Sequence, residues 1–274
     1  MDITRYAAWH PAAPLGHFVQ TLWTSERSAG LAHAREWNLP SGCADLVLPL
    51  DRPALRRYAD ADDGCGQLFS GGLLQGAMEH PTLRDTAGAS IVVGAHFAPW
   101  GLCGLPVPGA ASLAGQTVAM DDLWPGFAAQ LCGAVAKAGA LHDPRRRLEC
   151  FERMLSARLR RDTPPDPLLA WAVPRLVAGQ RVGPVQRASD LSPTSFILRV
   201  RNGCGLSPHG LVALQRFRNA LEQVHAGAAL STAAIDTGFA DQAHLARQFQ
   251  RYTGVTAGQY RRARTEHAAH MACG

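Results

Sequence analysis

Gln242, Ala243, His244 and Arg247 are the residues whose types and spacing first suggest chemistry. On a helix starting near Asp241, Leu245 and Phe249 share one face at i and i+4, which leaves those four on the outward side. Such groups match base edges in a DNA major groove: glutamine pairs with adenine, arginine with guanine, and an alanine methyl contacts that of thymine. A solvated helix face is the competing use, and the charge distribution weighs against it. Residues 166–274 hold 12 Arg and Lys against 6 Asp and Glu, net +6, whereas residues 1–165 hold 15 against 16, net −1. Basic charge concentrated in one part of the chain suits a phosphate-bearing partner, and double-stranded DNA is the partner expected.

The elements that would position these residues are repeated. Arg201-Asn202-Gly203-Cys204-Gly205-Leu206-Ser207 corresponds to Gln250-Arg251-Tyr252-Thr253-Gly254-Val255-Thr256 at an offset of 49, and the pairs Phe196/Leu245, Val200/Phe249 and Leu211/Tyr260 keep that offset. Each copy reads as a helix buried at i and i+4, a glycine end, and a Ser or Thr cap for the next helix. Upstream, Val185-Gln186 to Asp190-Leu191 matches Ala233-Ala234 to Gly238-Phe239 at offset 48. The spacing predicts helix, tight turn, helix, twice over. Two such units in one chain can reach successive major grooves, which lie about 34 Å apart on one side of the duplex.

The segment from Ala233-Ala234-Ile235-Asp236-Thr237-Gly238-Phe239 through Gln259-Tyr260-Arg261-Arg262 resembles the carboxy-terminal signature of the AraC family of bacterial transcription regulators. That resemblance implies a DNA-binding domain over residues 166–265, with Leu211 to His225 as the long helix joining the units and residues 266–274 as a tail. Departures cluster in the first unit. Its outward positions are Thr194, Ser195, Ile197 and Leu198, where the family shows polar groups, and Gln186 stands where a small alanine lets the two helices approach. Gly183-Pro184 weakens the helix before it. Thr194, Arg199 and Arg201 complete the expected DNA-contacting set, the arginines through phosphate, so this unit positions the protein more than it reads sequence.

Residues 1–163 read differently. Ala44 to Leu50 and Ile91 to Phe97 are short apolar runs between Gly and Pro signals, and Ser70-Gly71-Gly72 is a turn, as in a β sandwich or barrel. Leu123, Phe127, Leu131 and Val135, then Leu148, Phe151, Leu155 and Leu159, predict two closing helices. Arg145-Arg146-Arg147 and Arg158, Arg160 and Arg161 read as a solvated face. The fold class is therefore α+β: a β-rich region, helices, then an all-α domain. Leu39-Pro40-Ser41-Gly42-Cys43-Ala44-Asp45-Leu46-Val47 and Val93-Gly94-Ala95-His96-Phe97-Ala98-Pro99-Trp100-Gly101 are similar to a β-rich amino-terminal domain of some family members, which implies a small-molecule effector site or a homodimer surface there. A linker is expected at Thr163-Pro164-Pro165-Asp166-Pro167.

Other classes find less support. The 7 cysteines contain no Cys-x-x-Cys pair, so reduced structural thiols are expected, with neither disulfides nor a zinc ribbon. His33, His80 and His96 lack paired ligand spacing, and no Gly-x-Ser-x-Gly, P-loop or His-Glu-x-x-His motif is present. No metal, no cofactor and no catalysis are expected; an enzyme with an aromatic-lined β pocket is the weakest reading. Thr86 to Met120 is free of charged residues but broken by glycines and prolines, against a membrane span, and Met1-Asp2-Ile3-Thr4-Arg5 is no signal peptide, so a cytoplasmic location is expected. The alternative to a transcription regulator is a protein-interaction module with a degenerate DNA-binding domain.

Overall fold

Strand β9 (Ser90–Phe97) sets the plan of the amino-terminal region. Its alternate residues Ile91, Val93, Ala95 and Phe97 are buried and face helices, while Gly94 and the exposed His96 lie on the opposite face of the sheet, against Trp23. The computed structural model describes residues 4–28, 31, 33–160 and 164–273. Its strands are β1 (Thr4–Trp9), β2 (Val19–Arg27), β3 (Arg35–Asn38), β4 (Asp45–Pro49), β5 (Ala54–Tyr58), β6 (Gln67–Ser70), β7 (Leu73–Gln75), β8 (Thr82–Asp85), β9, β10 (Thr117–Ala119) and β11 (His270–Ala272). They form two antiparallel sheets, ordered β1-β2-β9-β4-β7-β10 and β11-β3-β8-β5-β6. The expected runs at residues 44–50 and 91–97 are β4 and β9, and the Ser70-Gly71-Gly72 turn leads from β6 into β7.

Short helices α1 (Ala110–Leu113) and α2 (Met120–Leu123) precede α3 (Phe127–Lys137) and α4 (Pro144–Ser156), which cover the six-stranded sheet. Phe127, Leu131, Val135, Leu148, Phe151 and Leu155 all pack into its core. Leu123 does not belong to the helix of Phe127, because Pro125 and Gly126 interrupt the chain between α2 and α3. The solvated face expected of Arg145-Arg146-Arg147 is also corrected. Arg147 is fully buried, since it shares the sheet-facing side of α4 with Phe151 and reaches Glu26 on β2 at 3.1 Å. Burial lowers the Arg147 pKa, and Glu26 works against that. Arg161 and Thr163 lie outside the described residues, as do Met1 to Ile3.

The carboxy-terminal region is helical: α5 (Pro167–Val177), α6 (Val182–Arg187), α7 (Pro193–Cys204), α8 (Pro208–His225), α9 (Leu230–Asp236), α10 (Gln242–Thr253) and α11 (Ala257–Ala263). Local chemistry starts these helices where the repeat places them. Ser192 caps α7 through the Ser195 N–H, Ser207 caps α8 through Gly210, and Thr256 and Gln259 form a reciprocal capping box on α11. The core between the helices also takes in Leu39 and Ala77 from the β region. Residues 266–274, expected as a tail, contain β11, which pairs antiparallel with β3 and buries Met271 in the helical core. An open sheet edge offers unpaired backbone donors and acceptors, and β11 satisfies them on β3. Among the described residues no helix is long and apolar enough to cross a membrane.

Candidate nucleic-acid interface

The second unit is built by close approach. Ala233 and Ala234 on α9 are fully buried, so nothing bulkier than a methyl holds α9 away from its neighbours. Gly238 turns the chain at φ +74°, in the left-handed region that glycine enters without steric cost. Asp241 then caps α10, accepting the His244 N–H at 2.6 Å. Leu245, Phe249 and Tyr252 are buried beneath α10, and Phe249 meets the rings of Phe217 and Tyr260 edge-on at 5.6 and 5.4 Å. Burial of each such side chain stabilises by about 1.5–3 kcal/mol, which fixes the helix rotation.

That rotation exposes Gln242, Ala243 and Arg247. Arg247 makes no ion pair or side-chain hydrogen bond among the described residues, so its guanidinium is free for a ligand. His244 departs from the outward face expected of it: it is half-buried and packs edge-on against Phe239 at 5.3 Å. At the far end of α10, Arg251 is tied to Glu79 of the β region at 3.3 Å.

The first unit has the same plan with other chemistry. Gln186, half-buried, donates its side-chain amide to the Leu191 carbonyl at 2.6 Å, bridging the turn that Ala234 closes by packing in the second unit. Asp190, equivalent to Gly238, adopts φ +57° and is the one non-glycine residue with positive φ among those described. On α7, Phe196, Val200 and Cys204 are buried while Thr194, Ser195, Ile197, Leu198, Arg199 and Arg201 are exposed. Leu198 occupies the position of Arg247 at offset 49. Arg199 is already engaged: it makes two hydrogen bonds, at 2.8 and 3.1 Å, to Asp166, which also caps α5. Partial burial works against charge on the Asp166 carboxylate, but the Arg199 bonds and the Leu168 N–H outweigh it and lower its pKa. Arg201 carries no ion pair among the described residues.

Sequence reasoning missed Asp166 and Glu79 as partners of the helical arginines. Asp166 had a signal, since an Asp before Pro167 at a helix start is a capping arrangement. Glu79 had none, because 172 residues separate it from Arg251.

Two helix-turn-helix units on one basic domain, joined by the long α8, define the class as a double helix-turn-helix DNA-binding protein. A family described as a helix-turn-helix domain matches residues 186–263, and a domain of unknown function, DUF6597, matches residues 7–119. Residues 186–263 therefore carry a helix-turn-helix domain, in keeping with the resemblance of Ala233 to Arg262 to the AraC family. No curated protein matches it. Among solved structures it is similar to ToxT from Vibrio cholerae, at 8% identity over 94% of this chain and 97% of that one, with a TM-score of 0.46. It is also similar to the C-terminal domain of AraT, a response regulator from Geobacillus stearothermophilus, at 20% identity over 37% of this chain and 89% of that one, TM-score 0.34. A third likeness is to the DNA-binding domain of AdpA in complex with a target DNA, at 25% identity over 35% of this chain and 87% of that one, TM-score 0.31.

Proposed function

We propose that α10 enters the DNA major groove and reads bases through Gln242 and Arg247, with Ala243 against a thymine methyl. The observation that carries this reading is the unpaired, exposed Arg247 beside Gln242 on a helix whose opposite face is buried. In the neighbouring groove α7 positions the protein, through Arg201 and Thr194 to the backbone and through Ile197 and Leu198 as apolar contacts. Arg199 joins a phosphate only by leaving Asp166. His244 stays at the edge of the interface, its backbone N–H spent on the cap.

Residues 1–163 control the helical domain of residues 166–265, as an effector-binding region, a homodimerisation surface or both. Support for control comes from the contacts already in place: Glu79 on Arg251, Leu39 and Ala77 in the helical core, and β11 on β3. The test is selection from randomised DNA with the purified protein, followed by titration of the selected site at two salt concentrations. One stringent half-site and one loose half-site about one helical turn apart are expected, with affinity falling as salt rises. Binding that ignores both sequence and salt would overturn the reading.

A further inference from the structure

We infer that β11 is a removable strap: docked on the edge of β3 it restrains the second helix-turn-helix unit against the β region, and DNA is bound with the strap released. This rests on the reading above, that residues 1–163 control the DNA-binding helices, and names the element through which the restraint acts.

Residues 265–273 leave the end of α11 and return to the β region. The β11 backbone sets His270 against Asn38, Met271 against Trp37 and Ala272 against Glu36. At its two ends the ladder continues, with the Leu39 N–H on the Ala269 carbonyl at 2.8 Å and the Cys273 N–H on the Arg35 carbonyl at 3.1 Å. Successive side chains of a strand point to opposite faces, so Met271 enters the helical core while His270 meets Glu36 of the β region at 3.3 Å. One short element is shared by both domains.

Nothing else in the β region depends on β11. Glu36 is 2% exposed, and its charge is already met by Arg84 on β8 and by His33 at 2.9 Å. Strand β3 keeps β8 along its whole length, from Arg35 to Asn38, when β11 leaves. Burial and Arg84 push the His270 ring down to about 3, so at neutral pH it is uncharged and the strap is held by backbone pairing and Met271 packing in place of an ion pair. Release opens one sheet edge and leaves Glu36 paired.

The strap reaches the recognition helix through one side chain. Tyr260 of α11 donates its hydroxyl to the Ala268 carbonyl at 2.7 Å, and its ring packs edge-on against Phe249 of α10 at 5.4 Å. The same hydroxyl lies 3.0 Å from Nδ1 of His225 at the end of α8. Moving residues 265–273 therefore frees the residue that seats α11 on both α10 and α8. The docked state also keeps Glu79 against Arg251, so a carboxylate of the β region stands at the end of a helix offered to a polyanion. Because the first unit rests on the β region at Gly205, tying the second there as well fixes their separation, whereas DNA demands that of successive major grooves, about 34 Å.

A reversible staple tests the strap in the full chain. Asn38 and His270 face each other as a non-hydrogen-bonded pair, whose Cα spacing of about 4.5 Å suits a disulfide, so Asn38→Cys with His270→Cys closes β11 on β3 when oxidised and frees it when reduced. The oxidised protein is expected to bind the selected DNA at least about fivefold more weakly than the same protein in dithiothreitol, and neither single cysteine variant should respond. Met271→Asp, which puts an unpaired charge where the strap is buried, should bind about fivefold or more tightly than the unsubstituted chain, with Met271→Leu unchanged. If circular dichroism shows that Met271→Asp has lost helix, the staple decides alone. Hydrogen exchange gives the reciprocal readout, since selected DNA should speed exchange of the Leu39 and Cys273 amides. Equal affinity of the oxidised and reduced staple, tighter binding when oxidised, a response shared by a single cysteine variant, or amides that DNA leaves protected would overturn the strap. If no form shows sequence-dependent, salt-sensitive binding, the regulator reading falls and the strap with it; normal binding that ignores the staple sinks the strap alone.

Discussion

The two helix-turn-helix units share a backbone plan and differ in what the ends of their second helices face. Both α7 and α10 stop at a left-handed glycine, Gly205 at φ +80° and Gly254 at φ +75°. Around Gly205 the β region closes in, with the Ala110 carbonyl 3.0 Å and the Ala77 methyl 3.3 Å from where a side chain would start; around Gly254 nothing lies within 4 Å. The unit seated on the β region carries Leu198 and an arginine committed to Asp166, and the unit whose closing glycine is open, though Arg251 beside it reaches Glu79, carries the unpaired Arg247. On the proposed reading, docking and base contact fall to different copies of one motif. The two copies keep one backbone plan, and each copy's outward positions suit its surroundings.

The largest expected effect breaks the comparison at its core. Phe249→Ala should destabilise the helical domain by about 3–5 kcal/mol, because the ring is fully buried against Phe217 and Tyr260. The equivalent Val200→Ala should cost about 1–3 kcal/mol, and chemical denaturation of both variants checks the order. Equal losses would show that the first unit's core is as heavily packed as the second's.

Base reading comes next. Arg247→Ala should weaken binding to the selected site by about 1–3 kcal/mol and relax preference at one base pair, whereas Leu198→Ala should change preference little. Ile197→Gln should gain selectivity or leave it unchanged. Fluorescence anisotropy on matched and singly mismatched sites measures all three, and an equal loss from Arg247→Ala on every sequence would assign that residue to phosphate.

The turns differ by less. Gly238→Ala should destabilise by about 1 kcal/mol, since an alanine at positive φ is strained, while Asp190→Gly should be neutral or stabilise slightly. Thermal melts of the two variants moving in the same direction would remove this distinction.

The smallest effect is a pH dependence confined to the first unit. The Asp166 pKa lies below its ordinary value in the folded chain, so the Asp166–Arg199 contact contributes stability that is fully present above the unfolded value of about 3.9 and is lost as pH falls through the folded value. Asp166→Asn should flatten that acid limb in pH-dependent melts. An unchanged limb would mean that Arg199 is not held there in solution.

Much of the helical domain was legible from spacing. Phe196 and Val200, and Leu245 and Phe249, lie four residues apart, which already rotates each helix and exposes Thr194 and Arg247. The cap residues Ser207 and Thr256 act on backbone groups three residues away, so their roles are readable in a single window. Arg147, Arg199 and His244 were misread or half-read for one reason: a side chain long enough to leave its own helix face, or placed at its margin, takes its environment from a partner elsewhere. For Arg147 that partner is Glu26, 121 residues earlier.

By itself, the sequence determined the repeat, the basic second region, the helix faces and the change from strand to helix, because each is a local property of residue type and period. It also carried the resemblance to the AraC family, through a segment whose glycine, cap and apolar positions must all coincide. Only the tertiary structure decided which outward groups are free. It seated α7 on the β region, turned residues 270–272 into a strand on β3, and paired Arg251 with Glu79. Those outcomes depend on contacts between residues far apart in the chain, and the closure of such contacts follows from how whole layers pack, which no window of sequence encodes.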